Sequence, residues 1–200
     1  MDADAATTDW LGGRRYSRRA FLKYCLGLTS LLALPPAAAK QFADRLGAET
    51  SGHRRRPVVW LSFQECTGCT ESLTRSYAPT FESLIFDFYS LDYHHTLQAA
   101  SGEAAEAARA ATVAAGGYLL IVDGSVPLAA GGACSTIAGR SNLDILAEAA
   151  TAADLVIAVG SCAAFGGLPA AAPNPTDAHS VERLMERGLV PARPLVNLPG

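Results

Sequence analysis

VVWLSFQECTGCTESLTR, residues 58–75, sets the pattern that the rest of the chain follows. Its first part, Val58–Phe63, is an apolar run rich in β-branched and aromatic residues, which predicts a buried β-strand. Cys66 and Cys69 follow in a polar turn, and Thr70 opens a segment that reads as a helix. We expect two thiols in a turn just past a strand to point at a common ion or cluster.

Predicted strands and helices alternate along the rest of the body. Short apolar runs of this kind are typical of strands covered on both faces of a sheet. Alternation of strands with helices predicts an α/β fold with right-handed crossovers and a doubly wound parallel sheet. The predicted strands are Val58–Phe63, Phe88–Leu91, Tyr118–Val122, Leu155–Val159 and Leu195–Leu198, and the predicted helices are Thr80–Phe86, Ser101–Ala114, Asn142–Ala150 and His179–Arg187.

A third cysteine follows another predicted strand. Cys162 lies in the sequence VGSCAAFGG, residues 159–167, just past the fourth strand. Sites in doubly wound sheets form in the loops beyond the carboxyl ends of the strands. We therefore expect Cys66, Cys69 and Cys162 to share one edge of the sheet.

The N-terminal segment reads as an export signal. Ser17 to Lys23, SRRAFLK, matches the twin-arginine signal, and the apolar stretch Tyr24–Leu34 that follows has 11 residues. That is well short of the roughly 20 residues that span a bilayer. Small residues then favour cleavage after Ala39. We predict a signal peptide at 1–39, which contains Cys25, and a lead-in segment at 40–56 ahead of a cluster domain at 57–200.

Composition excludes two classes of protein. The net charge is −3 at pH 7, and nothing in it indicates a nucleic-acid partner. Five cysteines in 200 residues are too few and too scattered for a disulfide scaffold.

The CxxC pair alone leaves several interpretations open. It is compatible with a redox dithiol, with half of a zinc site, or with two buried thiols. A dithiol does not use the third cysteine, and a zinc site requires further Cys or His ligands that the sequence does not offer in a second motif. Iron–sulfur clusters are commonly held by four cysteine thiolates, which suits three cysteines here and one more elsewhere.

The ordered set of motifs resembles the small subunit of periplasmic or membrane-bound nickel–iron hydrogenases. The motifs are the twin-arginine signal, QECTGCTES, LDYHHTL, VDGSVP, GGACSTIAGR and VGSCAAFGG. The resemblance implies a flavodoxin-like domain in which Cys66, Cys69 and Cys162 bind a proximal 4Fe-4S cluster. It also implies a fourth ligand beyond Gly200, in a Pro-Gly-Cys-Pro-Pro segment, and further clusters in a carboxyl-terminal domain. On this basis we expect the chain to be part of a longer protein.

The resemblance also implies a function and partners. The chain would accept electrons from H2 oxidation at the Ni–Fe centre of a large subunit and pass them to an acceptor such as a cytochrome b. It would hold no catalytic residue itself, and the twin-arginine translocase would export it to the periplasm, where it would be either free or associated with the periplasmic side of the membrane. Two alternatives stay open: an exported thiol–disulfide oxidoreductase using Cys66 and Cys69, and a cluster subunit of a quinone-linked respiratory complex.

Five further residues near these motifs have simpler interpretations. Cys134 matches a family position that is not a ligand, and it reads as a small buried thiol. Glu65 and Glu71 flank the thiols and serve either a partner contact or proton relay, or a solvated or helix-capping role. His94 and His95 end a predicted strand and read as structural.

Overall fold

The structure is a computed structural model, and it describes residues 55–199. The predicted signal peptide at 1–39, its Cys25, and the lead-in segment up to residue 54 lie outside the described residues. None of the helices between residues 55 and 199 combines the length and the apolar character that crossing a membrane requires.

Nine strands and six α-helices make up the described part of the chain. The strands are β1 Arg56–Ser62, β2 Tyr89–His94, β3 Tyr118–Asp123, β4 Val126–Pro127, β5 Thr136–Ile137, β6 Arg140–Ser141, β7 Ala153–Val159, β8 Ala178–His179 and β9 Leu195–Leu198. The helices are α1 Gly68–Thr74, α2 Phe81–Ser83, α3 Gly102–Ala115, α4 Asn142–Ala150, α5 Gly160–Phe165 and α6 Val181–Glu186. A π-helical turn, Leu84–Phe88, continues α2, and 3-10 turns occur at Ala129–Gly132 and Leu168–Ala170.

The main sheet has five parallel strands in the order β2-β1-β3-β7-β9. Numbered along the chain, this is the order 2-1-3-4-5, one of the common arrangements of doubly wound α/β sheets. The parallel α/β fold predicted from the alternating pattern is therefore confirmed. Two small antiparallel pairs, β4-β8 and β5-β6, lie outside the main sheet.

The core runs through the centre of the main sheet. Four consecutive residues of β1, Val58 to Leu61, are buried, so both faces of this strand are covered. Leu120 and Val122 of β3 and Val156 of β7 are fully buried beside them. Because the core lies under the central strands, it fixes the loops at their carboxyl ends relative to one another.

Local hydrogen bonds and strand pairing explain where most helices and strands begin. They also explain why one predicted strand and one predicted helix begin at the wrong residue. The strand predicted at Phe88–Leu91 begins at Tyr89, because Phe88 still belongs to the π-helical turn. The helix predicted at His179–Arg187 begins at Val181, because Ala178–His179 pairs with β4. Ser180 then caps the helix by accepting a hydrogen bond from the Arg183 N–H.

Candidate functional site

The carboxyl ends of three neighbouring strands carry the candidate site. Cys66 lies in the loop after β1, and Cys69 lies in the first turn of α1. Cys162 follows β7, and Asp123 ends β3, which lies between β1 and β7 in the sheet. Parallel strands end at the same edge, so this order places the three thiols around the Asp123 carboxyl group.

Cys162 lies in a helix rather than in the loop that the sequence indicated. The sequence VGSCAAFGG contains the two-turn helix α5, which begins at Gly160 directly after β7. Cys66 is exposed, whereas Cys69 and Cys162 are half-buried, and all three are free thiols.

Close approach of the chain at Gly160 brings two of these segments together. An ideal Cβ at Gly160 would lie 2.3 Å from the Cys69 Sγ and 3.8 Å from the Asp123 Oδ1. Gly160 also has a φ of 79°, a left-handed conformation that favours glycine. The start of α5 therefore packs against the Cys69 thiol only because residue 160 has no side chain.

The other two thiols also lie against glycines. A Cβ at Gly167, whose φ is 55°, would lie 2.7 Å from the Cys162 Sγ. A Cβ at Gly68 would lie 3.1 Å from the Cys66 Sγ. Glycine backbone thus lies beside each of the three thiols, at a distance that a side chain at the glycine position would not allow.

Burial and neighbouring charge keep Cys69 protonated while no metal is bound. The pKa of the Cys69 thiol is raised to about 12, first by burial and then by the Asp123 carboxylate, which acts both as a charge and as a hydrogen-bond acceptor. The thiols of Cys66 and Cys162 act on Cys69 in the same direction. Cys66 is three residues before Cys69 and Gly160 is two residues before Cys162, so the contact between Cys69 and Gly160 brings the segments that carry the three cysteines together.

Cys162 and Asp123 experience similar opposing effects. Burial raises the pKa of the Cys162 thiol, while a hydrogen bond from the Leu168 N–H lowers it. Burial also raises the pKa of the Asp123 carboxyl, which the Cys69 thiol and the Gly124 N–H lower by donating to it. The Asp123 Oδ2 is buried and accepts no hydrogen bond from the described residues. Burying a carboxylate oxygen without a partner is unfavourable for the charged form, which is why burial raises the pKa of Asp123.

The donor set fits an iron–sulfur cluster. Thiolates are the usual ligands of such clusters, with one cysteine on each iron. Among residues 55–199, no group of three or more His, Cys, Asp or Glu side chains meets the spacing that a single metal ion needs. Ligands of a cluster are spread over several irons, so they need not meet at one point.

Glu65 and Glu71 differ in their surroundings, although both flank the thiols. Burial raises the pKa of the Glu65 carboxyl, and the Asp123 charge raises it further, while a hydrogen bond from Thr67 lowers it. Glu71 is exposed and forms an ion pair with Arg75 at 2.6 Å. Glu65 therefore belongs to the electrostatic environment of the site, whereas Glu71 occupies the solvated position that the sequence allowed.

Cys134 is apart from the other three cysteines, and its predicted burial is wrong. It is exposed, in the turn after the 3-10 segment Ala129–Gly132. Its Sγ donates a weak hydrogen bond to the Ala129 carbonyl at 3.6 Å. Its tight turn leaves the thiol facing outward rather than toward the core.

Sequence reasoning missed Asp123 and Gly160, and it left open how Gly167 meets the site. A signal for Asp123 existed, because it is an acidic residue at the carboxyl end of the buried run Tyr118–Val122. The two glycines flank Cys162 in a glycine-rich segment, but only the fold shows which thiol each one approaches.

The chain is similar to known proteins in both sequence and structure. Residues 66–200 match the model of the family described as NADH ubiquinone oxidoreductase, 20 Kd subunit. The chain is 40% identical over 186 residues to the Hydrogenase-2 small chain of Escherichia coli, which covers 92% of this chain and 48% of that protein. It is 42% identical over 191 residues to the periplasmic NiFe hydrogenase small subunit 1 of Nitratidesulfovibrio vulgaris, covering 95% of this chain and 58% of that protein.

Solved structures show the same relationship. A chain of the Ni-Fe-Se hydrogenase from Desulfomicrobium baculatum matches with a TM-score of 0.71 and 31% identity, over 74% of this chain and 56% of that one. A chain of the NiFeSe hydrogenase from Desulfovibrio vulgaris Hildenborough matches with a TM-score of 0.70 and 36% identity, over 74% and 55%. The chain spans about half the length of the curated relatives it matches.

Neither alternative function receives support from these findings. The raised pKa of Cys69 opposes the reactive thiolate that a thiol–disulfide oxidoreductase needs. The family description names a subunit of a respiratory complex, yet the curated relatives at 40% and 42% identity are hydrogenase small subunits. The chain therefore belongs to the family of the 20 kDa subunit of NADH ubiquinone oxidoreductase, and within it resembles the small subunits of nickel–iron hydrogenases.

Proposed function

We propose that Cys66, Cys69 and Cys162 are ligands of a proximal 4Fe-4S cluster in a flavodoxin-like domain. The observation that carries this proposal is the convergence of the three thiols at one sheet edge, each against a glycine. The strand order 2-1-3-4-5 supports the flavodoxin-like assignment. The proposed fourth ligand is a cysteine beyond Gly200, as the resemblance implies.

The bound cluster would act as a one-electron carrier, and the protein would determine its surroundings. The half-buried thiols of Cys69 and Cys162 give up their protons on binding, so loading releases protons and depends on pH. The Leu168 N–H then donates to the Cys162 sulfur, and hydrogen bonds to the sulfurs and burial tune the potential of such centres. Asp123 adds negative charge beside Cys69, which favours the oxidised, more positive state.

The ligand assignment is tested by single serine variants of the full-length protein. Cys66→Ser, Cys69→Ser and Cys162→Ser should each remove about four irons per chain, the content of one such cluster. Cys134→Ser is the matched control, because its thiol lies apart from the other three. Iron analysis and EPR provide the measurement. Equal iron loss in the Cys134 variant, or full iron content in any of the other three, would refute the assignment.

We further propose that the complete protein is the electron-transfer subunit of a nickel–iron hydrogenase. The similarity to hydrogenase small subunits over 92% and 95% of this chain supports this function. In this proposal a large subunit holds the Ni–Fe centre and oxidises H2, and the chain passes the electrons to an acceptor such as a cytochrome b. The test is co-purification of the tagged protein with a nickel-containing partner and H2-dependent dye reduction by the complex. A tagged protein that carries its cluster but never purifies with nickel would contradict the proposal.

We propose export to the periplasm by the twin-arginine translocase. The motif SRRAFLK at residues 17–23 supports it. Arg18→Lys combined with Arg19→Lys should leave the protein in the cytoplasm, because lysine lacks the planar guanidinium fork. Cell fractionation measures the result, with Arg14→Lys and Arg15→Lys as the control pair outside the motif. Periplasmic delivery of the Arg18 and Arg19 variant would rule this route out.

A further inference from the structure

His94 is a buried polar residue next to the helix that carries Cys69. It ends β2, is fully buried, and pairs in register with Trp60 of β1. The two rings also pack together, with centroids 5.0 Å apart. Buried polar side chains are retained only when they are hydrogen-bonded, so the partners of this imidazole are informative.

The hydrogen bonds of His94 define its tautomer. The backbone N–H of Thr96 donates to the Nδ1 at 3.1 Å, and a backbone N–H can only donate. Nδ1 is therefore without a proton, and the ring proton lies on Nε2. The Thr70 Oγ1 lies 3.4 Å from Nε2, so His94 donates this hydrogen bond to Thr70.

Thr70 is the point at which α1 is held. It is adjacent to Cys69, and it is the buried residue of this seven-residue helix. Thr67 at the N-cap contributes no side-chain hydrogen bond to the helix. A short helix with one buried residue depends on that residue for its position, so the contact with His94 bears directly on the Cys69 thiol.

The donor role of His94 persists across the physiological pH range. The pKa of the ring is lowered to about 4, first by burial and then by the neighbouring His95. Among residues 55–199, His95 is the titratable group that acts on this ring, and Thr70, Thr96 and Trp60 contact the ring.

We propose that His94 is a positioning residue for the cluster, which holds Thr70 by its Nε2–H and thereby fixes the Cys69 thiol at the end of β1. This inference rests on the proposed role of Cys69 as a cluster ligand. The contact connects β2, which carries no cysteine, to the ligand set. Loss of the contact lets the first turn of α1 move and changes how Cys69 meets the cluster, so the reduction potential shifts.

The main test is a redox titration of the holoenzyme followed by EPR. Thr70→Val keeps the shape of the side chain and removes the oxygen, and His94→Leu removes the donor. Each should shift the midpoint potential of the proximal cluster, and the double variant should shift it no further than one of the singles, since both remove the same contact. Thr70→Ser keeps the hydroxyl group and should keep the wild-type potential.

Thr74→Val is the matched control, because it makes the same substitution on an exposed position of the same helix. It should leave the potential unchanged. If Thr70→Val lowers the thermal stability but leaves the midpoint potential of the proximal cluster unchanged, His94 has only a structural role and the proposal is overturned. Additive shifts in the double variant would overturn it as well.

A second test does not depend on the cluster. In the iron-free full chain, alkylation of Cys69 should be about two- to tenfold faster in Thr70→Val than in the wild type, the effect of losing one hydrogen bond on a local opening equilibrium. Alkylation of Cys134 should not change. If the wild type binds no iron, the proposed function has failed, and the alkylation rates still decide whether His94 positions Cys69. Equal rates for Cys69 would refute the positioning role.

Discussion

Single residues at the carboxyl edge of the sheet decide whether three thiols can face one another. Gly160 and Gly139 illustrate the two different demands on a glycine. Their φ angles are nearly equal, 79° and 76°. A Cβ at Gly160 would meet the Cys69 Sγ at 2.3 Å, whereas a Cβ at Gly139 would meet nothing within 4 Å. Backbone conformation and free space are thus two separate reasons for a glycine, and alanine substitutions at Gly160 and Gly139 allow their effects to be measured separately.

Gly160→Ala should lose the cluster, because the new methyl group displaces the Cys69 thiol. Gly139→Ala should keep full iron content and lose about 1 kcal/mol of unfolding free energy, the cost of a left-handed conformation for a residue with a Cβ. Iron analysis and denaturant unfolding of the two variants provide the measurement. Full iron content in Gly160→Ala would show that the thiol does not need this position.

The lowered pKa of His94 predicts that the protein loses stability in acid. Its folded-state pKa of about 4 lies below the ordinary value of 6.5. Between pH 6.5 and pH 4 the unfolded chain therefore binds more protons at this residue than the folded chain does. The contribution of the neutral His94 to the unfolding free energy is complete above pH 6.5 and is lost as the pH falls toward 4. Between pH 7 and pH 5 the wild type should lose about 2 kcal/mol of unfolding free energy through this group.

The matched variant for this prediction is His94→Gln, which has no ionisable group at that position. Denaturant unfolding of the iron-free chains at pH 7 and pH 5 gives the comparison. The variant should lose less unfolding free energy between pH 7 and pH 5 than the wild type does. Burial also lowers the pKa of His95, so His95 contributes a loss of the same sign in both proteins. An equal loss in both proteins would mean that His94 does not sense acid in the folded state.

At the scale of elements, N-terminal caps set where the helices begin. Ser141 precedes α4, accepts a hydrogen bond from the Asp144 N–H at 3.1 Å, and donates one to the Asp144 carboxylate at 2.7 Å. Thr80 and Ser180 accept equivalent bonds at α2 and α6. The helix α1 lacks such a bond, which explains why its position depends on Thr70.

Ser141→Ala should lower the unfolding free energy by about 1 kcal/mol, the usual effect of removing a capping hydroxyl. Ser141→Asn keeps an acceptor at the same position and should recover most of that loss. Thermal or denaturant unfolding measures both variants. No difference between Ala and Asn would indicate that the cap contributes nothing to α4.

At the scale of the whole molecule, one buried cation joins two helices that are distant in sequence. Arg109 of α3 is 3% exposed and pairs with Glu106 at 3.0 Å and with Glu148 of α4 at 3.3 Å. An exposed pair, Arg56–Asp154, has the same distance of 3.3 Å with side chains 54% and 47% exposed. The two pairs have equal length, but solvent screens the Arg109–Glu148 pair less, and Arg109 also pairs with Glu106.

A double-mutant cycle on Arg109→Met and Glu148→Gln should give a coupling free energy of about 1 kcal/mol or more. The same cycle on Arg56→Met and Asp154→Asn should give less than about 0.5 kcal/mol, since water and salt weaken exposed ion pairs. Both cycles are measured by denaturant unfolding at equal ionic strength. A larger coupling for the exposed pair would contradict this ranking.

The sequence by itself determined the alternation of strands and helices, and with it the parallel sheet and the edge where Cys66, Cys69 and Cys162 meet. This information is local, because hydrophobic periodicity reports which face of each element is buried, and parallel strands end at one edge. Only the tertiary structure decided that Gly160 approaches Cys69, that the Asp123 carboxylate accepts a hydrogen bond from the Cys69 thiol, and that His94 donates one to Thr70. These contacts join segments 24 to 91 residues apart, and their partners depend on strand order and packing, which no periodic pattern within one element encodes.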